Sequence, residues 1–470
     1  MMEMRLADVA AVTGGGLHRA TGDERVTAVE FDSRVIGPGG LFLALPGERV
    51  DGHDFVAAAL AAGAAGVLAA QPVDAPAVIA PAVPGGRSIG SDGAAVLAAL
   101  ARLAAHAVRA LPHTTVVGVT GSSGKTSTKD LLAAVLAPLG STVAPPGSFN
   151  NELGLPYTAL TALPSTRHLV LEFAARAPGH IAALCAVAPP RIGVVLNVGR
   201  AHLDEFGSAA AVVAAKGELV AALEASGVAV LNADDPAVAA MAARTAARVV
   251  TFGTSPGADV RAQDVVLDGG RPRFRLVGPA GHAEVAMALV GGHHVGNALA
   301  AAAVAFELGG TPEQVAAALS TARPVSRWRM EVTERADGIT VVNDAYNANP
   351  ESMRAALTAL VAIGGSDPAG QGNGHRRRTW AVLGRMGELG ASGPAAHVEV
   401  TAAAAELGID ELVAVGCPDY GCPRTVVDVD AALALLHTEL RPGDVVLVKA
   451  SRAVGLERVA AGLLEKTASG

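Results

Sequence analysis

Aromatic residues are scarce in this chain. Two Trp, three Tyr and nine Phe make up only 3% of 470 residues, although 51% of the sequence is apolar. Alanine fills much of that apolar share, so cores have to form from closely packed Ala-rich helices. Cysteine is scarcer still, with Cys185, Cys417 and Cys422 alone, which fits a reducing compartment. Cys417 and Cys422 flank Pro418-Asp419-Tyr420-Gly421. That is not a zinc spacing, and no second pair exists to complete one. Long apolar runs are also missing. The stretch 56–70 is mostly Ala, is broken by Gly63 and Gly66, and is too short to span a bilayer. The start, Met1-Met2-Glu3-Met4-Arg5, lacks a basic segment followed by an apolar core, so no signal peptide is expected. There is no excess of basic charge: 36 Lys and Arg stand against 44 Asp and Glu, a net −8. This argues against a nucleic-acid partner or a membrane surface bound through a basic face. A cytoplasmic protein with no integral membrane segment is expected.

What is present is a nucleotide-type turn. The apolar run Thr115-Val116-Val117-Gly118-Val119 leads into Gly121-Ser122-Ser123-Gly124-Lys125-Thr126 and then into Ser127-Thr128-Lys129-Asp130, which reads as a helix start. Strand, glycine-rich turn and helix in that order cradle phosphate, because N–H groups at the helix start and the helix dipole both favour an anion. Lys125 is placed to reach terminal phosphates and the Thr126 hydroxyl to hold Mg²⁺. The first glycine of the general motif would fall at Val119, so the match is incomplete.

Length suggests about three domains. Up to about Gly86 short strands (26–31 and 41–45) mix with a helix over 54–63, and 81–86 reads as a linker. Ser91-Asp92 is suited to cap a helix running to about Ala110. Strand-like runs then alternate with Ala-rich helices: 168–172, 192–196 and 227–231. That alternation predicts a parallel sheet with helices on both faces. The pattern restarts near Arg323-Pro324, with strands expected at 340–343, 379–384, 411–416 and 445–448. Residues 364–378 read as a mobile surface loop whose Arg376-Arg377-Arg378 run is a solvated face.

Polar groups close several of these strands, where sites form in doubly wound sheets. Glu172 closes one, Asn197 to His202 the next, and Asn232 to Pro236 a third. Glu172 reads either as a metal ligand or as a strand-end charge, and a lone His202 reads as structural more often than as a ligand. Lys216, within a helical stretch, reads as a surface lysine. Asn297 is explained by a helix N-cap. Arg323, Arg327 and Arg329 offer bidentate anion recognition. The string Asn343-Asp344-Ala345-Tyr346-Asn347-Ala348-Asn349-Pro350 is a polar loop after a strand, though Asn and Pro also form plain turns.

Taken in this order, these strings resemble the Mur ligase family across nearly the whole chain. That family's nucleotide loop also lacks the first glycine. Asp344 to Pro350, Phe149-Asn150-Asn151-Glu152-Leu153-Gly154-Leu155-Pro156 and Leu383-Gly384-Arg385-Met386-Gly387-Glu388-Leu389-Gly390 are similar to the member that adds D-alanyl-D-alanine to UDP-N-acetylmuramoyl-tripeptide. Asp32-Ser33-Arg34, Leu41 to Arg49 and Asp51 to Phe55 are similar to its UDP-binding domain. The resemblance implies an α/β protein of three domains. These are a small α/β N-terminal domain (1–87), a central P-loop-type parallel-sheet ATPase domain (88–322) and a C-terminal Rossmann-like α/β domain (323–470). It implies a monomeric ATP-dependent peptide ligase with ATP bound by Gly121, Ser122, Ser123, Gly124, Lys125, Thr126, Ser127, Asn297, Arg329 and Asp344. Two Mg²⁺ ions would be held by Thr126, Glu172, His202 and Lys216, the last as a carbamate; Lys125, Lys216, His202 and Glu172 would be catalytic. Ser33 and Arg34 would hold the uridine end, Asn151 the muramoyl part, and Asn347 and Asn349 the incoming dipeptide. Departures fall at Ala174, Arg385 and Ala450, where the family usually has Gly, an acid and Gly. A related ligase adding a diamino acid, a folylpolyglutamate synthase, and a P-loop regulator are the alternatives.

Overall fold

The computed structural model describes residues 1–47, 50–83, 90–199, 206–365 and 376–465. Residues 84–86 of the linker expected at 81–86 and most of the expected loop at 364–378 therefore lie outside the described residues, as does His202. The chain divides into two compact units. The first holds 1–118, 140–174 and 179–192, and the second holds 119–139, 175–178 and 193–470.

In the first unit a five-stranded sheet runs Gly16–His18, Ala77–Ile79, Gly66–Ala69, Gly40–Leu43, Ala28–Glu30 in spatial order. The first pair is antiparallel and the others parallel. Strands Gly40–Leu43 and Gly66–Ala69 are buried at every position, as parallel strands covered on both faces must be. Phe42, Val67 and Ala77 pack with Val56 and Ala59 of the short helix Val56–Ala61. The expected single helix over 54–63 is a 3₁₀ turn, Gly52–Phe55, followed by that α-helix. Helix Gly90–Arg109 starts before Ser91-Asp92, so these two residues lie inside it instead of capping it. His168–Glu172 forms as expected and pairs in parallel with Thr142–Val143.

The second unit contains two sheets. One follows the order Ile192–Val195, Val228–Asn232, Arg248–Gly253, Val260–Asp268, Arg271–Gly278, Gly281–Ala286. Its last two pairings are antiparallel, a hairpin extension that the reading of an all-parallel sheet did not anticipate. Arg271–Gly278 alternates exposed and buried from Arg271 to Leu276, with a sequence too polar on its open face to stand out as a core strand.

The other sheet is a doubly wound one of six strands: Glu331–Glu334, Thr340–Asn343, Val445–Lys449, Thr379–Leu383, Glu411–Val415, Thr425–Val426. All but the first pairing are parallel. Side chains alternate faces along each strand. Val342, Ala381, Leu383 and Leu447 meet Met353, Leu357, Ala396 and Val400 from helices Pro350–Gly364 and Gly393–Glu406. Val341, Trp380, Val382 and Val446 meet Val429, Leu436, Val459 and Leu463 from helices Val429–Glu439 and Glu457–Leu464. Of the Arg376–Arg378 run, expected to be a solvated face, only Arg376 is exposed. Arg378 pairs with Asp444 at 2.7 Å, and Arg377 donates to Gly443 O and to Thr340 Oγ1, closing the sheet's end.

Candidate active site

Strand Thr115–Thr120 delivers the glycine turn, and helix Lys125–Leu136 leaves it. Gly124 sits at the helix N-cap with φ +81°, a left-handed conformation that favours glycine. A Cβ there would lie 2.6 Å from Asn297 Oδ1, and one on Gly121 would lie 2.9 Å from Leu196 Cβ. Neither position has room for a side chain. The turn is held from the next strand's loop. Ser122 N–H donates to Asn197 O (3.1 Å), Ser123 N–H to Asn197 Oδ1 (2.9 Å), and Gly199 N–H to Ser122 Oγ (2.8 Å). Asp235 in turn accepts Val198 N–H at 2.8 Å. Lys125 folds over the cradle, its Nζ 2.7 Å from Gly121 O. Ser127 is half-buried in the first helical turn and Thr126 is buried.

Lys216 is not a surface lysine. Helix Ala209–Ala221 buries it to 5% exposure. Burial, with the Lys125 ammonium acting on it as a like charge, pushes its pKa down to about 7. A buried lysine near neutrality is unprotonated for much of its time at physiological pH, so its nitrogen lone pair is available to an electrophile. Asn297 is not a cap either. It lies within helix His294–Glu307, buried, and its Nδ2 has no partner among the described residues. An orphaned amide donor beside the glycine turn fits a purine's acceptor atoms.

Arg329 comes to the same place from the segment preceding the C-terminal sheet. Its Nη2 donates to Thr126 Oγ1 at 3.3 Å, and its guanidinium stacks 4.2 Å over Tyr346. Trp328 (φ 59°) and Met330 (φ 50°) flank it in left-handed conformations. Such strain persists only where the surroundings over-determine it, and it concentrates at functional sites. Asp344 is buried and accepts Met330 N–H at 3.1 Å and Lys449 Nζ at 2.6 Å. Lys449 also donates to Asn347 O at 2.8 Å. This lysine carried no role in the sequence reading, yet it joins the Asp344 and Asn347 positions. Asn349 caps helix Pro350–Gly364, its Oδ1 accepting Ser352 N–H at 2.8 Å.

The first unit holds the remaining candidates. Glu172 ends its strand fully buried, with Oε2 accepting from Ser148 Oγ (3.1 Å) and Asn150 Nδ2 (3.3 Å). Ala174 has no positive φ and donates to Asn150 O, so alanine fits there without strain. Ser33 and Arg34 lie in a turn where Arg34 grips Asp32 through Nε (2.9 Å) and Nη2 (2.7 Å). Hydrogen bonding from Arg34 takes the Asp32 carboxyl down to about 2. Glu30 orders the same turn by accepting Phe31 and Asp32 N–H, and it is tied to helix Gly154–Leu160 through Tyr157 Oη at 3.0 Å. Asn151 is exposed and accepts Gly154 N–H at 2.9 Å.

A phosphate cradle with a buried lysine, followed by a doubly wound sheet whose strand ends carry Asp and Asn, defines an α/β enzyme that uses a nucleotide triphosphate. The comparisons narrow this. The family descriptions "Mur ligase family, catalytic domain", "Mur ligase middle domain" and "Mur ligase, glutamate ligase domain" match residues 25–107, 119–305 and 328–452. The chain belongs to the Mur ligase family. It is 53% identical to the UDP-N-acetylmuramoyl-tripeptide--D-alanyl-D-alanine ligase of Mycobacterium tuberculosis, over 99% of this chain and 98% of that one. A crystal structure of MurF from Acinetobacter baumannii superposes with TM-score 0.84 at 30% identity, over 99% of this chain and 100% of that one. MurF from Thermotoga maritima in complex with ADP superposes with TM-score 0.78 at 30% identity, over 94% and 98%. Among the described residues, no helix is long and apolar enough to cross a membrane.

Proposed function

We propose that this chain joins D-alanyl-D-alanine to UDP-N-acetylmuramoyl-tripeptide at the expense of ATP, in peptidoglycan precursor synthesis. The observation that carries this reading is the glycine cradle with Lys125 folded over it and the near-neutral Lys216 acting with it. A carboxylate is a poor electrophile because it is negative and resonance-stabilised. Its oxygen attacks the γ-phosphate of ATP, the bond to ADP breaks, and an acyl phosphate results. The dipeptide amine then attacks the acyl carbon and phosphate leaves. Lys125 and the backbone N–H groups of the turn bind the phosphates, and Arg329 is poised to balance charge that develops there. Asn297 Nδ2 would take the adenine.

Magnesium, when bound, neutralises the transferring phosphoryl group. Thr126 and Lys216 fit it, the latter after its free amine adds CO₂ and releases a proton, which turns a cation into an oxyanion ligand. Glu172 and His202 stand in that role on the family resemblance alone. Ser33, Arg34 and Asn151 are proposed to bind the UDP-sugar, and Asn347 and Asn349 the dipeptide. The proposed domains run 1–87, 88–322 and 323–470, in a cytoplasmic monomer.

Phosphate release from ATP tests the reading, with each of the other two substrates omitted in turn. Release is expected only when both are present and is expected to vanish in Lys125→Ala. Ligation at a near-normal rate by Lys125→Ala would overturn it.

A further inference from the structure

Arg385 lies just beyond the C-terminal end of strand Thr379–Leu383. The backbone on either side of it is held by neighbouring elements. Tyr420 Oη donates to Gly384 O (2.9 Å), Ser451 N–H to Arg385 O (3.0 Å), Met386 N–H to His397 Nε2 (3.0 Å) and Gly387 N–H to Ser451 Oγ (2.7 Å). Glu388 turns the chain with φ 63°. The His397 ring is spent on this task, since its Nδ1 meets Gly393 O at 2.6 Å. No ring nitrogen is left for a metal beside Cys417 and Asp419, the acidic and thiol groups gathered around it. A fixed loop thus presents an exposed arginine side chain.

The loop lies at the C-terminal ends of the parallel strands, where strand Val445–Lys449 inserts between Thr340–Asn343 and Thr379–Leu383. Crevices at such reversals of strand order bind ligands. Ser451 joins the two sides, reaching Asn347 Oδ1 at 3.4 Å from the same Oγ that holds Gly387. The other cations at this end are engaged. Lys449 is paired with Asp344, Arg452 with Glu457 and over Trp328, and Arg329 with Thr126 and Tyr346. The Arg385 guanidinium reaches the Cys417 thiol, which does not neutralise it, and Asp419 lies beside that thiol; among the described residues no acidic group forms an ion pair with Arg385.

We propose that Arg385 binds the C-terminal carboxylate of the incoming dipeptide. The inference rests on the proposed function, because it takes the acceptor to be a dipeptide. That acceptor must offer its amine unprotonated, so its carboxylate is the one charge that has to be carried into the site. An unpaired carboxylate is costly to desolvate, and a guanidinium is its best-matched partner.

The test pairs Arg385→Ala with D-alanyl-D-alanine amide, which lacks that carboxylate. With the natural dipeptide, Arg385→Ala is expected to raise the dipeptide KM about ten- to a hundredfold, the range for a charge-assisted hydrogen bond, while the KM values for ATP and the UDP-tripeptide stay put. The amide is expected to be poor for the native enzyme but no poorer for Arg385→Ala, so the two losses are not additive. Arg385→Lys is expected to recover part of the loss. An unchanged dipeptide KM in Arg385→Ala overturns the inference, and so does an equal rise for dipeptide and amide. Failure of the proposed function itself is distinct: the native enzyme would then release phosphate without needing the dipeptide.

Discussion

Single residues carry the chemistry here through what surrounds them. Lys216 lies in a helix in which, apart from Glu218, every other residue is Ala, Val, Gly or Leu, so its sequence neighbourhood has little polar pattern to say which way the lysine points. Packing directs it inward, and burial then lowers its pKa to about 7. Lys216→Ala is expected to abolish ligation, with partial rescue by added acetate or formate, measured as phosphate release. Full activity without rescue would remove the carbamate from the scheme. His294 is a second case. It is 4% exposed, and burial, with His293 beside it, pushes its pKa well below the ordinary range. The unfolded chain therefore binds a proton that the folded chain refuses. The contribution is fully present above about pH 6.5 and is lost as pH falls toward the lower folded value, by at most about 1.4 kcal/mol per pH unit. Melting at pH 8 and pH 5.5 should show a steeper acid loss in the native chain than in His294→Gln.

At the level of elements, the strand–turn–helix cradle was plain from its spacing, and strands such as His168–Glu172 and Thr340–Asn343 formed at the residues expected. Continuous apolar runs ended by polar residues have few other ways to fold. The hairpin extension over 260–286 was not legible. Only Arg271–Gly278 alternates, Val260–Asp268 is exposed from Gln263 onward and Gly281–Ala286 is mostly exposed, so Arg, Glu and Asp dilute the apolar signal. The cradle makes a sharp prediction. Gly124→Ala forces a side chain into a left-handed conformation, at roughly 1–2 kcal/mol, and against Asn297 Oδ1. A lower Tm and a raised KM for ATP are expected together. A normal ATP KM would mean that Asn297 does not contact the nucleotide. Gly384 shows the opposite accommodation. A Cβ there would lie 2.8 Å from the Ala450 methyl, so Ala450 requires a glycine at this neighbouring strand end.

For the molecule as a whole, what matters is which distant segments become neighbours. Lys449 and Asp344 are 105 residues apart, yet they form a buried pair because the last long strand of the chain inserts beside the first strand of the parallel core. Lys449→Met would leave the Asp344 carboxylate buried and unpaired, at about 3–5 kcal/mol. Adding Asp344→Asn should recover most of that loss in Tm, because both charges are then gone. If the double variant melts no higher than Lys449→Met, the pair does not hold the sheet end. The sequence alone was enough for the phosphate cradle, the family and the doubly wound C-terminal sheet, since each rests on local order along the chain. The burial of Lys216, the orphaned Asn297 amide, the Lys449 bridge and the exposed placement of Arg385 emerged only on folding. Each depends on desolvation and on partners brought in from elsewhere, and neither is written in the spacing of nearby residues.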